Sequence, residues 1–172
     1  MNDDVTLRPW SDADYPVLQR NNTPEMTAYL GGPESEQKLL ARQEKFMRLW
    51  REGEARMFTI HVPWADVPVG SVGYWKTEHA GEPVYEAGWG VATEFQGRGA
   101  AAAALAACLR DAAEQRERDM LFAFPRIDNA ASNALCRRAG LTWTAEEDFE
   151  YPPGTPIRVN SWAIDLRTLR TG

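Results

Sequence analysis

The residues most able to do chemistry lie between positions 86 and 136. Gln96-Gly97-Arg98-Gly99-Ala100-Ala101 is a glycine-punctuated turn between a run of β-formers and a run of alanines. Such a turn suits an anion. The first N–H groups of a helix have no intrahelical acceptor, and the helix dipole adds partial positive charge there. Glycine lets the main chain approach a phosphate with no Cβ in the way. Two familiar phosphate loops are excluded. A Walker loop needs Gly-Lys-Ser/Thr, where this chain has Gly99-Ala100-Ala101. A dinucleotide fingerprint needs a third spaced glycine and an acid at a second strand end, and neither is present. On its own, the turn is either a pyrophosphate cradle or an ordinary strand-to-helix connection.

Glu86 is the candidate general base. Strand alternation puts it on one face with Gly88 and Gly90. An acid inside an apolar strand costs free energy unless it has a partner or a chemical role, and burial would raise its pKa toward that of a useful base. The competing reading is a solvent-facing strand residue. Glu94 reads as a surface loop residue. Asn129 and Ser132 lie at a helix start, where Asp128 or Asn129 can take the cap. Cys136 sits on a helix face and reads as a small packed group rather than a nucleophile. His61 and His79 lack neighbouring cysteines or paired acids, so no metal site is expected. Of the tryptophans, Trp10, Trp75 and Trp162 are candidates to line an acceptor pocket.

These groups need a strand to carry Glu86 and a helix to follow the turn. Val84 to Val91 reads as the strand, and the Ala/Leu run from Ala100 to about Arg116–Asp119 as the helix. Upstream, Thr6 to Arg8 reads as a first strand. Ser11 opens a helix with Asp14 as a capping-box variant, which Pro16 should limit or kink. A turn-rich loop, 21–33, leads to a helix over Glu34 to Glu52, with Leu39, Leu40, Phe46, Met47 and Trp50 on one face and Gly53 as its stop. Met57 to Val62 and Val69 to Trp75 are strands, and His79 to Pro83 turns the chain into Val84 to Val91. Downstream, Met120 to Phe124 is a strand parallel to it. Ala130 to Ala139 is a helix ended by Gly140. Leu141 to Thr144 and Ile157 to Leu166 are the last strands, joined by a rigid Tyr151-Pro152-Pro153-Gly154 loop. The fold class is α/β with a mixed sheet.

A chain of 172 residues, 44% hydrophobic and 26% charged, suits one domain over 1–172. A net charge of -6 argues against a nucleic-acid partner and mildly favours a cationic one. No apolar run is long enough for a membrane span. Two cysteines and a polar start with Asp3 and Asp4 lead to the expectation of a reducing, cytoplasmic setting with no leader.

The Gln96-Gly97-Arg98-Gly99-Ala100-Ala101 pattern resembles the Q/R-x-x-G-x-G/A signature of the GNAT superfamily of N-acetyltransferases. Asn129-Ala130-Ala131-Ser132-Asn133-Ala134-Leu135-Cys136, then Gly140-Leu141, is similar to its N-x-x-S/A-x-x-L-x-x-x-x-G-F/L stretch. Arg8-Pro9-Trp10 and Glu86-Ala87-Gly88-Trp89 resemble the subgroup holding the ribosomal-protein N-terminal acetyltransferases. The likeness runs from about Thr6 to Leu166. It implies a mostly antiparallel sheet with one splayed parallel pair and flanking helices, and acetyl-CoA as cosubstrate without a metal. By that resemblance Gln96, Gly97, Arg98, Gly99, Ala100 and Ala101 hold the pyrophosphate, with Arg98 either adding charge or standing solvated. The backbone of Gly90, Val91 and Ala92 and the side chain of Asn129 hold the pantetheine arm. Glu86 is the base, and Ser132 donates to the leaving thiolate. The tyrosine acid common in the family is replaced here by Cys136. The implied partner is a primary amine: a small molecule, an amino acid or a peptide N-terminus. A homodimer is common in the family. The alternatives are an acyl-CoA-binding or sensing module on the same fold and a purely structural dimer.

Overall fold

The computed structural model describes residues 4–170. One seven-stranded sheet runs in the order β1-β2-β3-β4-β5-β7-β6. Its strands are β1 (Thr6–Pro9), β2 (Ala55–His61), β3 (Gly70–His79), β4 (Glu82–Val91), β5 (Met120–Ala123), β6 (Thr142–Glu150) and β7 (Pro156–Asp165). The helices are α1 (Tyr15–Arg20), α2 (Glu36–Glu52), α3 (Ala100–Gln115) and α4 (Ala130–Arg138). Every neighbouring pair is antiparallel except β4 with β5. That pair is joined through α3, as a parallel crossover requires.

The two faces of the sheet are covered differently. Tyr85, Ala87 and Val91 of β4 point into the main core with Ala104, Leu105, Cys108 and Ala112 of α3 and Leu135 and Cys136 of α4. On the other face, α1 and α2 close a smaller core over the β1–β3 half: Trp10, Val17, Leu18, Leu39 and Met57. Small residues along α3 let that helix lie close to the strands. A polar clamp fixes it there. Arg56 Nε and Nη2 donate to the two oxygens of Asp111 at 2.7 and 3.0 Å, and the Tyr74 hydroxyl donates to the same carboxylate at 2.6 Å. Burial first, and Asp111 second, push the Tyr74 phenol far above its ordinary pKa, so it serves as a permanent donor.

Several boundaries differ from the sequence reading. Pro16 neither limits nor kinks α1; it sits in the first turn, where its missing N–H costs nothing. The capping box of Ser11 and Asp14 closes a short 3₁₀ turn ahead of it. The second helix starts at Glu36, because Ser35 takes the cap and accepts from Lys38 N–H, and Leu40 lies on its exposed side. β3 runs on to His79, since Ala80 and Gly81, at φ 52° and 80°, make a two-residue hairpin turn with both φ positive. The largest difference is β6, which extends to Glu150 rather than ending at Thr144. Its run of acids lies beyond the strand expected from sequence, yet it is an edge strand whose Glu146 and Asp148 both meet Arg158 of β7 at 2.9 Å.

The clamp should carry measurable stability. Asp111→Ala strands a buried hydroxyl and a half-buried guanidinium, a loss of about 2–3 kcal/mol, whereas Tyr74→Phe removes only one donor, about 1 kcal/mol. Urea unfolding of both variants checks this; equal costs would mean that Asp111 does not pin α3.

Candidate active site

Strands β4 and β5 are in register only at Tyr85–Leu121 and Glu86–Phe122. Beyond them β4 runs five residues further to Val91 with no strand paired on its β5 side, while β5 ends at Ala123 and turns toward α4. The edge of β4 facing that gap is therefore open. Its polarity follows from the ladder on the other side. Ala92 N–H donates to Val69 O at 2.9 Å, and N–H directions alternate along a strand. The N–H groups of Trp89 and Val91 consequently point into the gap. The Val91 carbonyl also points there and is taken by Gln96 Nε2 at 2.8 Å. The Val91 N–H is left as a donor aimed at whatever fills the gap.

Gln96 thus ties the turn to the end of β4. After it, Gly97 and Gly99 take φ 82° and 81°, a conformation that L side chains rarely adopt. Gly99 is the N-cap of α3 and offers no side chain to satisfy the helix start. Among the described residues, no acceptor meets the backbone N–H groups of Gly97 through Ala102. Six successive donors without acceptors at the start of a sixteen-residue helix suit an anion. The guanidinium of Arg98 stacks over Trp64, 4.4 Å from the ring centroid. A cleft lined by Trp64, Arg98, Gly99 and Ala100 adjoins the turn. These donors and this open strand edge fit an extended, phosphate-bearing ligand such as acetyl-CoA.

On the far rim, Asn129 caps α4, its Oδ1 accepting from Ser132 N–H at 3.2 Å. The Ser132 hydroxyl is half-buried and has no partner among the described residues. Asn133, which sequence reasoning passed over, holds this rim together. Its Nδ2 donates to Arg126 O and Asn129 O at 2.9 and 2.8 Å. Its Oδ1 accepts from Asn160 Nδ2 and Trp162 Nε1 at 2.9 and 2.8 Å. Its four-residue spacing from Asn129 was the available signal. Cys136 is fully buried, and burial pushes its thiol up to about 12, so it stays protonated inside the core.

Glu86 lies at the point where the strands part. It is half-buried and has no hydrogen-bond or ion-pair partner among the described residues. Burial alone raises its carboxyl to about 7. Gly88 and Gly90 follow it on the same face. A Cβ at Gly88 would press on the Trp75 ring at 2.9 Å, and one at Gly90 would meet Met26 Cε at 3.4 Å and Asn21 Nδ2 at 3.7 Å. Gly88 therefore lets the Trp75 ring lie against the strand, and Gly90 lies beneath Met26 and Asn21. Of the three tryptophans considered as pocket walls, Trp75 alone faces this side. Trp10 is buried under α2 with its Nε1 on Gln43 Oε1, and Trp162 points to the α4 rim.

His79 does not stand alone. Its Nε2 lies 2.9 Å from Glu147 Oε2, and Ser161 donates to the same carboxylate. Among the described residues, no group of three His, Cys, Asp or Glu side chains is placed to hold a metal ion.

Residues 4–142 match the family described as the acetyltransferase (GNAT) domain. No curated protein sequence matches the chain. Among solved structures, the ribosomal L7/L12 alpha-N-protein acetyltransferase RimL in complex with coenzyme A superposes at a TM-score of 0.78, with 21% identity over 94% of each chain. An acetyltransferase from Salmonella typhimurium that modifies the N-terminal serine of ribosomal protein L7/L12 gives 0.78, at 23% identity over 94% of this chain and 95% of that one. Spermidine N-acetyltransferase from Vibrio cholerae, with CoA and spermine, gives 0.79 at 17% identity over 98% and 99%. The family match covers most of the chain: this protein belongs to the GNAT acetyltransferase family.

Proposed function

We propose that the protein transfers the acetyl group of acetyl-CoA to a primary amine by direct attack within a ternary complex, with Glu86 as the base. The observation that carries this reading is the unpartnered, half-buried carboxylate of Glu86 where β4 and β5 diverge. A sensing module has no need to keep a carboxylate in that state, because desolvation without a partner costs free energy. The N-terminal acetyltransferase and the polyamine acetyltransferase among the similar structures both act on amines, which favours the same acceptor class here.

In this reading the donors of Gly97, Arg98, Gly99, Ala100 and Ala101 take the pyrophosphate, and the backbone of Gly90, Val91 and Ala92 lies along the pantetheine arm. Asn129 fixes the opposite rim. Bound acetyl-CoA supplies a thioester carbonyl open to attack. Val91 N–H points where charge on that carbonyl oxygen is stabilised. An alkylammonium must lose a proton to become a nucleophile, and Glu86 accepts it. In the same reading the Ser132 hydroxyl donates to the departing thiolate. A thiol of pKa near about 8.5 is a fair leaving group unaided, so the loss of a tyrosine at position 136 is tolerable. The two buried, unpaired cysteines fit a reducing, cytoplasmic setting.

Two outcomes test the reading. Gly99→Val puts a branched side chain at φ 81° on the cradle. Hydrogen bonds to a charged group are worth roughly 1.5–3 kcal/mol each, so CoA affinity should fall about tenfold or more in a protein that still shows native circular dichroism. Unchanged affinity by calorimetry would place the phosphates elsewhere.

Glu86→Gln keeps the shape and removes the base, so kcat should fall by about 10²-fold or more with CoA affinity unchanged. Wild-type kcat/KM should drop as pH falls through about 7, the raised carboxyl value, and the variant should lose that limb. The same shift has a stability sign. A raised folded pKa favours the fold below the ordinary carboxyl range and loses that contribution as pH rises through about 7. The unliganded Gln variant should therefore gain stability over wild type at alkaline pH and none near pH 4. A variant with near-wild-type kcat and an intact acid limb would move the base elsewhere.

A further inference from the structure

The half of the sheet face that α1 and α2 leave uncovered carries a ladder of aromatic rings leading away from Glu86. Phe122 is the register partner of Glu86, so both side chains stand on one face. The Phe122 and Phe124 rings are parallel within 10° at 5.8 Å, and Phe124 and Phe149 within 28° at 5.3 Å. His79 leans on Phe122 at 4.4 Å, and its bond to Glu147 keeps it there. The three phenylalanines are half-buried rather than sealed, and the smaller core that α1 and α2 close rests on Met57 of β2 and Trp75 of β3.

A second, independent observation lies beside Gly90, further along β4 from Glu86 on the same face. Asn21 Oδ1 is a fully buried oxygen with no donor, and the amide it belongs to sits above Gly90. A buried acceptor left without a partner is open to an incoming donor. The loop carrying it, 21–33, is pinned across the opening. Gly31 meets Pro152 of the β6–β7 connection, and Tyr29 lies under Arg126.

We propose that the acceptor is a primary amine on an aromatic or similarly bulky apolar body, with its ammonium between Glu86 and Asn21 Oδ1 and its body along Phe122, Phe124 and Phe149. This rests on the acetyltransferase reading of the same site. The one carboxylate that the proposed amine site uses, Glu86, matches one ammonium. Glu147 is already engaged by His79 and Ser161, so a second cation farther along the ladder would be desolvated against phenylalanine rings without a free counter-ion.

The test compares 2-phenylethylamine with 1,4-diaminobutane, by turnover with acetyl-CoA and by calorimetry on the CoA-saturated protein. The arylamine should show a kcat/KM at least about tenfold above that of the diamine, the scale on which an apolar pocket discriminates. Phe124→Ala should raise KM for 2-phenylethylamine by about tenfold, Phe124→Leu should restore much of it, and CoA affinity should stay unchanged in both. Asn21→Leu should raise the same KM without weakening CoA binding. If it weakens CoA binding instead, the orphan oxygen serves a pantetheine N–H and not the amine. A diamine preference, no detectable 2-phenylethylamine binding to the CoA complex, or an unchanged KM in Phe124→Ala each overturns the inference while leaving the acetyltransferase reading in place. Absence of CoA binding altogether would sink that reading first.

Discussion

The structure depends on a strand pair that stops pairing. β4 and β5 share two register positions and then separate, although both continue to be held from outside by β3 and β7. Unpaired main-chain groups inside a sheet are costly, so the opening persists only because each side is fixed independently. On one side Ala92 is bound to Val69, and Gln96 ties back to Val91. On the other, Asn133 binds Arg126 and Asn129, while Asn160 and Trp162 of β7 bind Asn133. The main core under α3 and α4 holds both halves from below. An open β edge, a bare helix start and an unpartnered carboxylate then fall along one line.

The two faces of that opening divide the labour. Toward α3 the core is dry and the helix dipole is directed at the turn, which suits phosphate. Toward α1 the face is half-covered and carries Glu86, Trp75 and the phenylalanines, which suits an acceptor entering from the opposite side to the cosubstrate. Gly88 and Gly90 are the contact between the two halves. A Cβ at Gly88 would press on the Trp75 ring, whereas one at Gly90 would meet Met26 at ordinary contact distance.

Much of this is legible in the sequence because local rules carry it. The glycine turn, the alanine helix, the strand holding Glu86 and the parallel return strand all follow from spacing and propensity over short windows. β6 beyond Thr144 is not, because Glu146, Glu147, Asp148 and Glu150 give no strand signal until Arg158 on the neighbouring strand neutralises two of them. Pro16 reads as a helix breaker from sequence because its effect depends on which helical turn it occupies, and Ser11 sets that from outside. Asn21 and the His79–Glu147 pair are invisible for a different reason. Their partners lie 69 and 68 positions away, at Gly90 and Glu147, and no local pattern announces such a meeting.

Backbone amide exchange on the intact protein, with and without CoA, tests the central claim that the gap between β4 and β5 and the turn after it are the cosubstrate site. CoA should slow exchange at Val91 and at Gly97 through Ala102, whose N–H groups have no acceptor among the described residues, while the edge strand β6 keeps its free-state rates. Unchanged exchange at these amides under saturating CoA would contradict the account.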